Sequence, residues 1–402
     1  MFQPETLNAQ LDAVSSDPVR TLIIGAGVAG TSLAALQRKR GRHPVLIERA
    51  SEHAPAGYMI GSLPLGGNLF HTLDRYGNYL EASCDINAYE MGDTHGRVIR
   101  HFGMSEIFAG SGDFRGIDRG SLIDELSSGG AVTFDTTVTE IEQSAVDVAV
   151  TFSDGMTATF DVVVVADGIN SSTRNLVQRP SDLTTFDSKW GGWVVWAPAA
   201  THAEDTQAQD TQPPGTYSEF WGPGRFVGFY PVKNRVGVFV GGPRHDTAAG
   251  PAEFGRRFRA ARPLSAPLES ALDALAADPD PFYWEFVDHR SARFAYGRVV
   301  LLGDAGAGFL PTAGVGANMA MDSAAALDDE LSRTGPDTVA FALELYERRR
   351  RPRVIAAQTN SRMLARLMFR RSRLIAWCIR VMMRWISITA ALGGIRKVIE
   401  RR

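Results

Sequence analysis

Four separated groups of residues in this 402-residue chain have types and spacing that chemistry can use. The first is Gly25-Ala26-Gly27-Val28-Ala29-Gly30, with Glu48 further along. In a G-x-G-x-x-G run the first glycine permits a tight turn, the second lets the backbone approach a pyrophosphate, and the third lets helix and strand pack closely. An acid at the next strand end can accept hydrogen bonds from ribose hydroxyls. The second group is Arg119, heading a short segment in which Leu122 and Leu126 share one helical face; such an arginine can hold a phosphate or the edge of a ring. The third is Asp167-Gly168, opening a polar run through Ser171 to Arg174. The fourth is Gly303-Asp304, followed by Pro311 and then Gly314-Val315-Gly316-Ala317-Asn318. An acid at a strand end can bind the hydroxyls of a sugar or polyol. A glycine-lined helix start offers unpaired N–H groups and a positive dipole end to an electron-rich ligand atom. Each group alone is also compatible with an ordinary turn or a surface arginine, but together they suit one long, polar, multi-part ligand.

The elements that must position these groups follow from periodicity. Thr21 to Ile24 reads as a strand, the chain from the glycines to about Arg40 as a helix capped by Gly41, and Pro44 to Glu48 as a second strand. That context is what gives the glycine run its weight. Ala54 to Gly67, rich in Gly and Pro, reads as a loop. Asp93–Gly96 and Asp154-Gly155 read as hairpin turns, and Val162–Val165 as a buried strand. From Trp190 to Val240, aromatics crowd into short strand-like pieces, a twisted sheet that could face an apolar ligand, although most such aromatics are core. Thr201 to Gln212 reads as a polar, exposed loop. Ala252 to Ala277 reads as helical, Phe282 to Phe294 as the return of the chain, and Val299 to Leu302 as a buried strand ahead of the fourth group. Asp337 to Arg351 reads as a helix stopped by Pro352.

Composition excludes several classes. The chain is 44% hydrophobic and 22% charged, an ordinary globular balance, and its net charge of −3 gives no reason to expect a nucleic acid partner. Cys84 and Cys378 are far apart and in no metal-ligand spacing, so neither a metal site nor a disulfide is expected, in keeping with a reducing cytoplasm. The N-terminal segment lacks an apolar signal core, and no uncharged apolar run is long enough to span a bilayer. The segment from Ser361 to Arg402 differs from the rest: eleven Arg or Lys stand against one acid, a net +10, mixed with Leu, Ile, Met and Trp at helix-like spacing. Two readings fit it. One is a basic amphipathic helix on the inner membrane surface. The other, preferred, is a helical arm packed on its own domain with its arginines snorkelling outward.

The order of the four groups resembles the class A, single-component FAD-dependent aromatic hydroxylases, typified by para-hydroxybenzoate hydroxylase, over roughly residues 20 to 365. The resemblance implies an α/β fold in which a Rossmann-like FAD-binding domain (20–74, 111–180, 286–365) interleaves with a smaller β-sheet substrate domain (75–110, 181–285), followed by a C-terminal helical tail (366–402). It implies that Gly25, Gly27, Val28, Ala29 and Gly30 lie under the FAD pyrophosphate. Glu48 would bind the adenosine ribose, Arg49 would lie beside the adenine, and Arg119 near the pyrophosphate and ribityl chain. Asp167 and Gly168 would belong to a motif linked to both FAD and the nicotinamide cofactor. Gly303 and Asp304 would bind the ribityl hydroxyls. Pro311 and Gly314, Gly316, Ala317 and Asn318 would set backbone N–H groups against the flavin pyrimidine edge, and Gly57 to Gly67 would border the flavin's swing. The family usually reads Gly-Asp-Ala-Ala-His after the late strand; here Gly303-Asp304-Ala305-Gly306-Ala307 puts alanine in the histidine's place.

The implied activity is hydroxylation or epoxidation of a hydrophobic, aromatic or polyketide-like small molecule by a monooxygenase using FAD, NAD(P)H and O2 through a flavin C4a-hydroperoxide. No second dinucleotide fold for NAD(P)H is visible. His71, Tyr217, Tyr230 and His245 are the nearest candidates for a base, but none carries a motif and none is assigned. The alternatives are a flavin halogenase, for which no lysine motif is found among Lys39, Lys189, Lys233 and Lys397, a flavin-dependent reductase or desaturase of a lipid-like substrate, and a non-catalytic flavoprotein scaffold.

Overall fold

Val162–Val165 is fully buried on both faces, as a central strand of a covered parallel sheet is. In the computed structural model, which describes residues 1–53, 57–108, 112–198, 215–260 and 264–385, it is the middle strand of five. Val299–Leu301 lies on one side, and Thr21–Ile24 then Val45–Ile47 on the other, all parallel; Ala295–Tyr296 closes the edge antiparallel. Alternation sorts the side chains. Ile23, Val162 and Val164 face the helices Val28–Lys39 and Gly316–Ser332, while Leu22, Ile24, Val163 and Val165 face a three-stranded meander, Val138–Gln143, Val148–Phe152 and Thr157–Phe160. The result is a helix, sheet and meander stack of the Rossmann-like kind expected from the glycine run.

The aromatic stretch forms a seven-stranded sheet in the order Phe282–Ser291, Leu183–Pro198, Arg235–Pro243, Arg225–Val232, Thr216–Gly222, Ala88–Asp93 and Val98–Gly103. One face carries Val195, Val227, Phe229 and Val240 against the helices Pro251–Ala260 and Ala266–Ala277. The other carries Val194, Phe226 and Phe239 and turns towards Met59, Leu310 and Ala365. The two parts of the molecule meet closely at Gly116, where a Cβ would stand 1.8 Å from the Pro231 carbonyl oxygen.

Three sequence expectations need correction. Ala54 to Gly67 is not a plain loop: Met59–Ser62 is a strand paired antiparallel with Arg115–Asp118, and Pro64–Thr72 is a helix with proline in its first turn. The helix expected to stop at Pro352 runs from Val339 to Met368. Proline in a helix interior costs about 3 kcal/mol. That cost is offset beyond it, where Val354, Ala357, Ser361 and Ala365 are buried and Gln358 Nε2 donates to the His289 and Gly308 carbonyls at 2.8 and 2.5 Å. The segment Ala252 to Ala277 is two helices rather than one. In the basic segment the helix break follows Met368, and a further helix spans Arg373–Trp385. The loop expected from Thr201 to Gln212 lies outside the described residues. Among the described residues no helix is long and apolar enough to cross a membrane.

Gly116→Ala should lower stability by about 2 kcal/mol or more, because backbone, not a flexible side chain, occupies the Cβ position. Thermal unfolding checks this; a melting temperature unchanged from wild type would mean that the contact relaxes freely.

Candidate functional site

Register brings the sequence groups together. Ile24, Val165 and Leu301 are aligned across the sheet, and Ile47 lies beside Ile24, so four chains leave their strands on one edge. Glu48, Asp167 and Asp304 therefore all follow strand ends at the carboxyl side of a parallel sheet, the usual ligand edge of such folds. The exits are stitched by backbone: Gly25 N–H donates to the Ile47 carbonyl at 2.8 Å, Ala166 N–H to Ile24 at 2.8 Å, and Leu302 N–H to Val165 at 2.9 Å.

The glycines are required by crowding. Gly25 has φ +104°, and a Cβ there would lie 2.6 Å from the Ala166 carbonyl oxygen and 2.8 Å from Asp167 Cα. A Cβ on Gly30 would stand 2.0 Å from the Gly25 carbonyl oxygen. Gly303, at φ +61°, has the Ala29 methyl 2.7 Å from its own Cβ position, so the late motif rests on the first turn of the glycine-run helix.

Between these exits runs a cleft of about 190 Å³. Gly25, Gly27, Glu48 and Arg49 line one side, and Arg119, Asp167 and Gly168 another. Glu48 is held in place by Ala26 N–H on Oε2 at 2.8 Å and Ala50 N–H on Oε1 at 2.9 Å, which leaves lone pairs on both oxygens. Asp167 accepts from Thr173 N–H at 3.3 Å through Oδ2, while its buried Oδ1 has no hydrogen-bond partner among the described residues. Arg174 is buried and donates to the Ala305 carbonyl at 2.9 Å and to Ile169 at 3.2 Å, tying the third group to the fourth.

Asp304 is half-buried, and burial pushes its carboxyl up to about 6, an effect that the Arg119 guanidinium partly offsets. Tyr58 lies nearby: burial and then the Asp304 charge push its hydroxyl up to about 12, and its ring packs on Trp284 at 4.8 Å. Asn318 is fully buried at the start of Gly316–Ser332 and works through its side chain. Its Oδ1 accepts from Leu63 N–H at 2.8 Å, and its Nδ2 donates to the Gly61 and Gly314 carbonyls at 2.9 and 3.1 Å. It thus clamps the Met59–Ser62 strand onto the helix start. Gly314 has φ +59°, with open space where its Cβ would be.

Val28 and Ala29 form the first turn of the glycine-run helix, and Pro311 opens a short 3-10 turn that ends at Gly314. Gly316 and Ala317 follow in the first turn of Gly316–Ser332. Alanine in the usual histidine position is explained by enclosure, since Ala305 and Ala307 are both buried and Ala307 N–H donates to the Gly303 carbonyl at 3.0 Å. Of the four base candidates, His71 stacks on Tyr76 at 3.7 Å, and exposed His245 lies 3.3 Å from Asp246 and 3.1 Å from Arg371. Tyr217 and Tyr230 share a buried acid, Glu219. Sequence reasoning missed Thr136, Thr137 and Ser172 at the cleft, Tyr58 near Asp304, and Glu219; only Glu219, an acid amid aromatics in a strand, had a visible signal.

These residues fit a dinucleotide with a polyol chain. An Asp167 oxygen and an Asp304 carboxyl that have no hydrogen-bond donor among the described residues both call for hydroxyl or amide donors, and crowded glycines expose backbone N–H groups to a phosphate.

Comparison with known proteins agrees with this chemistry. Residues 121–361 match the family model described as FAD binding domain, and residues 61–180 match one described as flavin containing amine oxidoreductase. The chain is similar to 3-amino-4-hydroxybenzoate 2-monooxygenase of Streptomyces cremeus, with 28% identity over 86% of this chain and 87% of that protein. It is also similar to the FAD-dependent urate hydroxylase of Klebsiella oxytoca, with 27% identity over 84% and 87%. In fold it resembles Klebsiella pneumoniae HpxO complexed with FAD and uric acid, with TM-score 0.81, 24% identity, and 95% of this chain and 96% of that one covered.

The raised Asp304 carboxyl has a signed consequence. Its folded value of about 6 exceeds the ordinary 3.8, so ionising it costs the ligand-free fold, and that cost grows as pH rises from about 4 and is complete above about 6, at no more than roughly 3 kcal/mol. Asp304→Asn should raise the melting temperature of the flavin-free protein at neutral pH, flatten this pH dependence, and leave flavin poorly retained on gel filtration. A variant that stays fully loaded would remove Asp304 from the site.

Proposed function

The chain belongs to the FAD binding domain family of class A flavoprotein monooxygenases, and from that premise we propose that it uses NAD(P)H and O2 to insert one oxygen atom into an apolar aromatic or polyketide-like small molecule. The observation that carries this reading is the convergence of three of the four groups, Gly25 and Gly27 with Glu48, Arg119, and Asp167-Gly168, on one cleft, with the fourth, Gly303-Asp304, leaving the adjoining strand and packed on Ala29.

In this reading Gly25, Gly27 and Gly30, with the helix start at Val28, cradle the FAD pyrophosphate. Glu48 and Arg49 hold the adenosine end, Arg119 balances the phosphates, and Asp304 takes the ribityl hydroxyls that it lacks in the bare fold. Asp167 Oδ1 is the other open acceptor in the cleft. Gly314 and the N–H groups from Gly316 meet the flavin's electron-rich edge, with Asn318 holding Gly61 and Leu63 against that helix start. Bound FAD supplies the activation of O2 and the transfer of oxygen.

The protein's part is to exclude water and hold the substrate carbon in contact. Met59, Phe239 and Trp284 support this, as an apolar surface on the face of the sheet turned towards Leu310. Such a surface suits a ring-bearing substrate, the class of molecule named for the hydroxybenzoate and urate relatives. We assign residues 20–74, 111–180 and 286–365 to the cofactor unit, and 75–110 with 181–285 to the substrate unit.

The halogenase alternative finds no support: Lys39 pairs with Asp74, Lys189 with Asp187, and Lys233 donates to the Glu81 carbonyl, none of them in the cleft, while Lys397 lies outside the described residues. The helix Arg373–Trp385 leaves Leu374, Ile375 and Met382 exposed within a basic segment, which supports contact with an anionic lipid surface.

Two measurements test these readings. The purified protein should be yellow, and an aromatic panel should contain a compound that raises NAD(P)H oxidation at least several-fold and gains label from 18O2. Halide dependence would indicate a halogenase, and product formed without O2 a reductase. The chain should co-sediment with phosphatidylglycerol vesicles but not phosphatidylcholine vesicles, and truncation after Phe369 should abolish that; equal recovery from both would exclude lipid contact.

A further inference from the structure

The most unusual group outside the cleft is Glu219, 5% exposed in the middle of the seven-stranded sheet. Four donors converge on its carboxylate. Tyr217 Oη and Tyr230 Oη, the latter at 3.3 Å, donate to Oε1; Tyr89 Oη at 2.9 Å and Trp221 Nε1 at 3.2 Å donate to Oε2. The side chains come from three strands, Ala88–Asp93, Thr216–Gly222 and Arg225–Val232. Gly228 lies opposite Glu219 in register, and its missing Cβ makes room for the Tyr230 ring, which would stand 2.6 Å from it.

Holding three strands together does not require a charge there. An ion buried at this depth costs several kcal/mol, and an apolar side chain of equal volume does the same packing more cheaply. The placement suggests a different role. Alternation puts Glu219 on the face shared with Phe226 and Phe239, the face turned to Met59 and Leu310, not the one packed on the helices. Tyr217 lies 6.2 Å from Phe114, whose ring would stand 3.0 Å from a Cβ on Gly61, and the Gly61 carbonyl accepts from Asn318. The cluster is therefore one side chain, Phe114, away from the Met59–Ser62 strand, which Asn318 ties to the start of Gly316–Ser332.

Its hydrogen-bond direction is also fixed. A carboxylate offers about four acceptor sites, all four are occupied, and no ligand can add to Glu219 directly. The tyrosines are half-buried, and each hydroxyl oxygen keeps lone pairs after giving its proton to Glu219, so it can still accept from a hydroxyl donor.

Given the monooxygenase reading above, on which this rests, we propose that Glu219 is the terminal proton acceptor for an acidic hydroxyl of the substrate, a phenol or enol, reached through Tyr217 and Tyr230, whose hydroxyl oxygens lie 3.5 Å apart. The substrate O–H bond breaks as its proton passes to a tyrosine oxygen, and that tyrosine's own proton passes to a Glu219 oxygen. The outcome is a substrate oxyanion and a neutral carboxyl, with no change of oxidation state. An oxyanion makes the ring more electron-rich where oxygen must be inserted. Burial pushes the Glu219 carboxyl up and the four donors pull it down by less, so it takes a proton more readily than an ordinary glutamate. The same face carries Asp93 and Arg100 by register, with the Arg100 guanidinium 5.1 Å from the Phe102 ring. Of the charges on the strands packed against it, Asp118 pairs with Arg235, and Arg115 donates to the Ser83 hydroxyl. In this scheme Glu219 is a positioning and proton-accepting residue that never touches substrate.

The test uses the FAD-loaded enzyme and 4-nitrophenol, whose oxyanion alone is strongly coloured. Difference spectra across pH should show the bound probe ionising at least about one pH unit lower than the free probe, a tenfold change. In Glu219→Gln the shift should vanish. In Tyr230→Phe, which keeps the ring and leaves Tyr217 on Glu219, it should shrink, with unchanged flavin content and near-UV dichroism. A bound probe that ionises alike in wild type and Glu219→Gln, a probe bound only as the neutral phenol, or no saturable binding would each overturn the proposal. A wild-type protein that holds no FAD would instead overturn the monooxygenase reading.

Discussion

The whole arrangement depends on backbone meeting backbone without a side chain between. At Gly25 and Gly30 the chain passes so close to Ala166, Asp167 and itself that a single methyl group would not fit. These contacts align the ends of four strands, and that alignment brings the residues after three of them, with Arg119, to one lined cleft. Hydrophobic burial sets how firmly the sheet is packed, since Val162–Val165 has water on neither face. It does not set how near the strand exits lie to each other; the glycines do.

Alignment of that kind leaves acids where a fold on its own would not keep them. Glu48 is partly satisfied by Ala26 and Ala50 N–H groups, Asp167 has one oxygen bonded and one bare, and Asp304 is pushed up by burial with only the Arg119 charge to offset it. The three form a series from satisfied to unsatisfied across the aligned strand ends. Unsatisfied buried acceptors cost about 1–3 kcal/mol each in the free protein and recover that cost when a ligand supplies donors. Glu219 stands apart from this series. Its four donors are internal, so its hydrogen bonding is settled before any ligand arrives, and the acceptors that remain are the lone pairs of the tyrosine oxygens around it.

Much of this was legible in the sequence for a physical reason. The glycine run, the valine run and the acids at strand ends act through local backbone geometry, which short-range pattern records; Gly25, Gly41 and Gly96 all sit at positive φ, as turns and caps demand. What local pattern could not record was compensation from afar. Pro352 signals a helix end, yet Gln358 bonding to His289 and Gly308 carries the helix through it. Gly57 to Gly67 has the composition of a loop, yet pairing with Arg115–Asp118 and the Asn318 clamp make part of it a strand. Tyr58 and the Glu219 cluster are tertiary in the same sense, for no spacing announces which tyrosines of different strands will meet at one carboxylate.

The helix Gly316–Ser332 is where the two halves of the argument join. Its start is bonded through Asn318 to Gly61 and Leu63, and the chain just before it contributes Leu310 to the aromatic face of the sheet. A displacement of that helix start would therefore move the Met59–Ser62 strand and the apolar surface around Leu310 together. Rigid packed segments pass on small shifts because interiors lack the free volume to absorb them. Asn318 is fully buried with all its hydrogen bonds directed at backbone, so it has no cheap alternative rotamer. The cleft and the sheet are held at one fixed separation, which is what a site must provide when one ligand has to react with another across it.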